Sequence, residues 1–266
     1  MKGAPHKRQH IMKLGAQLYS VRKYTQNEKD YRLTFKTIKE IGYENVQVSG
    51  GFAIDPQKLA DLSREFDLPI VCTHSSFDRI VNDTKALIEE HKAFGCPVIG
   101  IGSMGQEYRH SAEGLEAFLK IMEEPVKRIN DAGLALSYHN HNFEFEKPEG
   151  SDITYFDMMI ERCPDWKFLL DTYWVEFAGY SATDYIEKIG QIPSRLTNVH
   201  YKDLAKDEKR SICACGQGVL DFAKIFDKCV EYKVENVLVE QDNAAELGDP
   251  FDQMRLSFEH LRPIIK

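Results

Sequence analysis

The sequence predicts an α/β fold, a single (β/α)8 TIM barrel over residues 1–266, and three observations carry that prediction. Eight short apolar runs of strand length recur along the chain, amphipathic stretches at helical spacing separate them, and no long Pro/Gly/Ser linker interrupts the alternation. A length of 266 residues suits one barrel of this class, and an apolar share of 42% supplies a full core. A doubly wound open sheet is the runner-up. It is weakened because neither G-x-G-x-x-G nor G-x-x-x-x-G-K-S/T follows an early strand.

The first apolar run is Leu14–Leu18, and the helical stretch Asp30–Ile41 follows, with Gly42 as its stop. Asn45–Val48 leads to Pro56–Phe66, Ile70–Thr73 to Asp83–Phe94, and Val98–Ile101 to Ala112–Ala132. In the second half, Leu134–His139 precedes Tyr155–Cys163, and Trp166–Leu170 precedes Ala182–Ile189. Leu196–His200, the helical Phe222–Tyr232 and the last run Val237–Glu240 complete the series.

Charge and cysteine usage narrow the function classes. Net charge is −8 with Lys and Arg scattered, so no basic face is available for nucleic acid. Cys72, Cys96, Cys163, Cys213, Cys215 and Cys229 lack zinc-ribbon or secreted-disulfide spacing, and Cys213-x-Cys215 is too tight for a zinc knuckle. Reduced thiols in a cytoplasmic protein are the expectation. Residues 1–20 hold no apolar leader run, and no 18-residue apolar stretch occurs anywhere, so a soluble chain with no membrane partner is expected. Assembly into a homo-oligomer is left open.

In such a barrel the chemistry sits where each strand ends and its loop begins. The fifth run ends in LSYHNHNFEF, residues 136–145. His139 and His141 point the same way along an extended segment, and Glu144 follows them. Asp171 ends the sixth run as either a helix N-cap or a metal ligand. His200 ends the seventh, with Lys202 just beyond. Glu240 ends the eighth, and a carboxylate there needs a partner because an unpaired buried charge is expensive. Four consecutive strand ends thus offer the His, Asp, His and Glu that a divalent metal requires, and mixed imidazole and carboxylate donors suit Mn, Co or Zn better than Ca, with Mg retained.

Other strand ends add His74 at the same mouth, Gln47 pointing towards it, and Gln17, Tyr19 and Arg22 near the rim. Trp174 and Phe177 read equally as walls for a sugar face and as core residues. The stretch CGQGVLDF (215–222) reads as an ordinary loop leading into a helix in preference to a phosphate cradle.

Taken in order, GAQLYSVR (15–22), YHNHNFEF (138–145), LLDTYWVEFAG (169–179), VHYKDL (199–204), GQGVLDF (216–222) and VEQD (239–242) resemble the xylose-isomerase-like barrel superfamily over nearly the whole chain. That superfamily covers sugar isomerases and epimerases, inosose dehydratases and isomerases, hydroxypyruvate isomerases and AP endonucleases. Many members read L-E-N-H at the end of strand five, where the Glu binds metal. The resemblance places His139 on that position and implies metal binding by Asp171, His200 and Glu240. A histidine standing where a catalytic glutamate is common removes one of the two carboxylates that pass a proton in the epimerases. Glu144 is the first candidate for the missing acid/base, and Gln47 occupies a place where many relatives carry Glu.

The expected activity is a metal-dependent isomerisation or epimerisation of a ketose, inosose or keto-sugar, phosphorylated or free, through an enediolate. Glu240 or Glu144 is the expected base, and His74, His141, Lys202, Trp174 and Gln47 are the expected substrate contacts. A dehydratase or lyase shares the first proton abstraction and is the nearest alternative. An AP endonuclease needs more metal ligands and a basic rim, and a non-catalytic sugar-binding barrel needs no acid/base pair.

Overall fold

Eight parallel strands form one sheet in the computed structural model, which describes residues 12–265. They are β1 (Lys13–Gln17), β2 (Asn45–Val48), β3 (Ile70–Thr73), β4 (Val98–Ile101), β5 (Ala135–His139), β6 (Lys167–Asp171), β7 (Leu196–Tyr201) and β8 (Asn236–Val239). Their neighbour order is β3-β2-β1-β8-β7-β6-β5-β4, and the two edge strands meet through a parallel bridge between Ser75 and Ile101. This is the expected TIM barrel. The part of the leader reading that rests on residues 1–11 lies outside the described residues.

Helices cover the outside, and their limits follow local chemistry. The helix α1 (Glu28–Ile41) begins two residues before the expected start because the Asn27 side chain accepts from the Asp30 N–H. It ends where Gly42 turns to φ 119° and its N–H returns to the Ile38 and Lys39 carbonyls. Tyr31, Phe35, Ile38 and Ile41 form its buried face. The stretch expected as one helix over 83–94 is α3 (Thr84–Ala93), with α2 (Phe77–Asn82) set before it. Ser76 caps α2, and Asp83, at φ −123°, separates the two. Two further helices have no counterpart in the sequence reading: Thr172–Phe177, directly after β6, and Pro250–Leu261 at the C-terminal end.

The barrel interior is layered. At the strand starts, Asn45 donates to Asn236, which donates to Asn198, at 2.8 and 3.2 Å. That relay crosses β1 only because residue 15 is Gly: a Cβ there would lie 1.8 Å from Asn45 Oδ1. Above it Cys72, Val98, Leu169 and Leu238 form a small apolar plug. The next layer, at the strand ends, is polar.

Candidate metal centre

His139 and Asp171 end β5 and β6, His200 is the last residue but one of β7, Glu240 directly follows β8, and all four are buried. Each offers one ligand atom, and these atoms lie within 4.8 Å of one another. Asp171 is the helix N-cap the sequence allowed, with its second oxygen left over. Its Oδ1 accepts from the Trp174 N–H at 3.1 Å and caps the helix Thr172–Phe177, while Oδ2 faces the cluster. Asn140 locks it in place, accepting from the Asp171 N–H at 2.9 Å.

The protonation pattern of the two histidines can be argued from their outer partners. His139 Nδ1 lies 3.1 Å from the Gly102 carbonyl, which can only accept, so that nitrogen carries the proton and Nε2 presents a lone pair. It presents it to Asp171 Oδ2 at 3.3 Å. The Gln47 amide nitrogen donates to the Thr73 carbonyl, so its Oε1 is the atom that meets His200 Nε2 at 2.7 Å. His200 therefore turns its Nδ1 towards Glu240 Oε2 at 3.0 Å and Asp171 Oδ2 at 3.5 Å. Two imidazole nitrogens thus face two carboxylates, an arrangement that needs a cation, a proton or a metal ion, between them. Burial disfavours a charged His200, yet Glu240 and Asp171 outweigh it and hold the ring up to about 9. A divalent ion answers the same demand, and outer partners of this kind are usual for metal-binding histidines.

Lys202 completes the charge set. Its ammonium is fully buried, 2.8 Å from Asp242, 3.2 Å from Glu240 and 3.5 Å from Asp171. Burial opposes its charge, but those three carboxylates raise its pKa above the usual lysine value. In return, Lys202 and the imidazoles overcome burial and hold Asp171 and Glu240 well below the ordinary carboxylate range.

A cavity of about 490 Å³ opens above this floor, lined by His74, His139, His141, Lys202, Glu240 and Asp242, together with Tyr19, Phe77 and several serines. Two larger hollows, of about 790 and 810 Å³, lie at the strand starts and between outer helices, and hold none of the clustered groups. His74 enters the cavity as a neutral donor. Gln17 Oε1 accepts from the Tyr19 N–H, so its amide nitrogen faces His74 Nδ1 at 3.5 Å and leaves the proton on Nε2. Burial and the neighbouring His139 and His200 keep that ring uncharged. Gly102 makes room for it, since a Cβ there would lie 3.2 Å from His74 Nδ1.

Several expected residues stand elsewhere. Gln47 is buried under His200 and does not line the cavity. Trp174 backs His141 and Lys202, its ring 5.4 Å from the first and 5.2 Å from the second. Phe177 stacks on Tyr173 at 5.5 Å. The loop 215–222 is no phosphate cradle: the N–H groups of Gly216, Gly218 and Leu220 all donate to the buried Asp203 carboxylate at 2.9–3.1 Å. Asp242 is the site residue the sequence reading passed over. It sits two residues beyond Glu240, in the turn that follows β8.

Glu144 departs furthest from its expected position. It follows β5 in a short 3-10 turn (Phe143–Phe145) and turns behind the strand, where Tyr138 Oη donates to it at 2.6 Å and the His141 N–H at 2.8 Å. It is absent from the lining of the cavity above the cluster. Burial pushes its carboxyl up to about 7. The unfolded chain gives up that proton near the usual 4.5, so rising pH from about 4.5 to 7 should cost the fold about 3 kcal/mol through this group. Glu144→Gln is expected to remove that loss. The check is the unfolding midpoint of both proteins across this interval, since comparison cancels the opposite slope from buried His91. Identical pH slopes would count against it.

A family model described as xylose isomerase-like TIM barrel matches residues 35–264. Among solved structures, a sugar phosphate isomerase/epimerase from Parabacteroides distasonis superposes with a TM-score of 0.79 at 19% identity, covering 96% of this chain and 100% of that one. An L-ribulose 3-epimerase gives 0.70 at 14% identity, over 96% and 95%. A probable 3-DHS dehydratase from Bacillus anthracis gives 0.71 at 13%, over 94% and 99%. At such identities the likeness is one of fold. A search of curated proteins finds no match.

Proposed function

The chain belongs to the xylose isomerase-like TIM barrel family, and on that premise we propose that it is a metal-dependent isomerase or epimerase of a ketose, inosose or related keto-sugar. The observation that carries this reading is the convergence of two imidazole nitrogens on two buried carboxylates at the barrel mouth. A divalent ion held by His139, Asp171, His200 and Glu240 would supply Lewis acidity towards a carbonyl and its neighbouring hydroxyl, and two nitrogen with two oxygen donors suit Mn, Co or Zn.

The residues around it divide the remaining work. Glu240, ionised and facing the cavity, takes the proton from the carbon beside the carbonyl. The Lys202 ammonium and the His74 Nε2–H steady the negative charge that develops on substrate oxygens. His141 takes over the part assigned to Glu144 in the sequence reading. Its ring lines the cavity with Nδ1 free, braced at 5.8 Å against Phe143, while Glu144 fixes its backbone from behind. Among the described residues Lys202 is the one Lys or Arg lining the cavity, and carboxylates surround it, which favours a small sugar over nucleic acid as the partner. No helix among the described residues is long and apolar enough to cross a membrane, and six free cysteines suit a reducing cytoplasm.

Elemental analysis of the purified protein, then solvent-deuterium incorporation into a panel of keto-sugars and inososes with that metal supplied, tests the proposal. Label beside the carbonyl is expected. Loss of a β-hydroxyl from the labelled substrate would assign a dehydratase instead. No bound metal and no activation by one would sink the proposal altogether. The outer partner of His200 gives a further expected result: Gln47→Leu should weaken metal binding by roughly 10- to 100-fold, read by titration with Mn²⁺ or Co²⁺. Unchanged affinity would remove Gln47 from the site.

A further inference from the structure

We propose that the substrate is uncharged: a free polyhydroxy ketone, with no phosphate group. This rests on the keto-sugar reading and narrows it through the charges and hydrogen-bonding groups that face the cavity. Among the described residues Lys202 is the one cation lining it, and three carboxylates hold that ammonium within 3.5 Å.

Arg22 and Arg109 do not line the cavity, and each turns part of its guanidinium to neutral oxygens. Arg22 donates to the Tyr19 and Asp242 carbonyls at 2.8 and 3.0 Å and lies over the Tyr19 ring. Arg109 donates to the Met104 carbonyl and the Ser103 hydroxyl, and lies over Phe143. With a divalent ion bound, Asp171, Glu240 and Asp242 would still cancel its charge and that of Lys202. A phosphate dianion would therefore meet a floor of no net charge, and giving up water for such a site with no cation to spare costs free energy.

The groups left unsatisfied are neutral. His74 Nε2 and His141 Nδ1 are buried without partners among the described residues. Each matches a substrate hydroxyl or carbonyl, and neither brings the positive charge that would offset a dianion's loss of water.

The test uses the full chain loaded with Mn²⁺. Deuterium exchange is followed for D-fructose, D-xylulose and an inosose, with D-fructose 6-phosphate and D-xylulose 5-phosphate beside the first two and inorganic phosphate as a competitor. The free members are expected to exchange with kcat/KM at least tenfold above their esters, and millimolar phosphate should not inhibit. Asp242→Asn should narrow the preference several-fold by removing the repelling charge. Faster exchange of the esters, or competitive inhibition by phosphate below millimolar, overturns the inference and leaves the isomerase reading standing. Exchange in no member of either set overturns both.

Discussion

Glu240→Gln is expected to lower the rate of solvent exchange into substrate by roughly 10³-fold, within the range that a lost general base produces. The substitution keeps shape and most hydrogen bonds, but an amide cannot take a proton from carbon. Glu240 is suited to the task because Lys202 and His200 outweigh its burial and hold it ionised. For the same reason no acid limb in the ordinary carboxylate range should appear in the wild-type rate. The amide also withdraws one negative charge from the proposed metal site, so the comparison must be made at saturating metal, with occupancy confirmed by elemental analysis. Substrate affinity should then change far less than the rate. Glu144→Gln is the informative companion, because the sequence reading gives that residue the same role. Its carboxyl lies behind β5, bonded to Tyr138 and the His141 backbone, and exchange should survive within about tenfold. A 10³-fold loss in Glu144→Gln, with Glu240→Gln active, would reverse the assignment.

The difference between these two glutamates shows where sequence reading holds. Along a strand, side chains alternate, so the ends of buried apolar runs disclose which way His139, Asp171, His200 and Glu240 point. Repetition of ligand-type groups on four neighbouring strands then makes the cluster readable before any coordinates. Glu144 lies five residues past His139 in a turn, where alternation no longer applies, and only the turn's own geometry decides that it faces Tyr138. Gln47 lies under His200 and not in the cavity, because its partner is 153 residues away and no local pattern announces such a pair. The Asp203 carboxylate is a similar case. It takes the loop N–H groups of 216–220 from a sequence distance at which Gly216 and Gly218 alone look like an anion site. Helix Thr172–Phe177 escaped notice because TYWVEF is too short and too aromatic to show helical spacing, although the Asp171 cap was recognisable.

Lys202→Met should leave the metal-free fold weaker by about 3–5 kcal/mol, the cost of removing one partner from a buried ion pair. Asp171, Glu240 and Asp242 would then face one another with only the His200 imidazolium between them. Two consequences separate this account from a simple substrate contact. In the wild type, Lys202 depresses the Asp171 and Glu240 carboxyls, and that contribution to stability is present above their unfolded values and lost only in acid. The deficit of the variant should therefore be widest at neutral pH and shrink as the pH falls towards 5, where its carboxyls can take up protons instead. A divalent ion can also replace the missing charge, so Mn²⁺ should raise the unfolding midpoint of the variant by more than it raises that of the wild type. Denaturant midpoints of chelator-treated and Mn²⁺-loaded proteins at pH 7.5 and 5 decide the matter. A lysine needed only to touch substrate would lower turnover while leaving all four midpoints where the wild type has them.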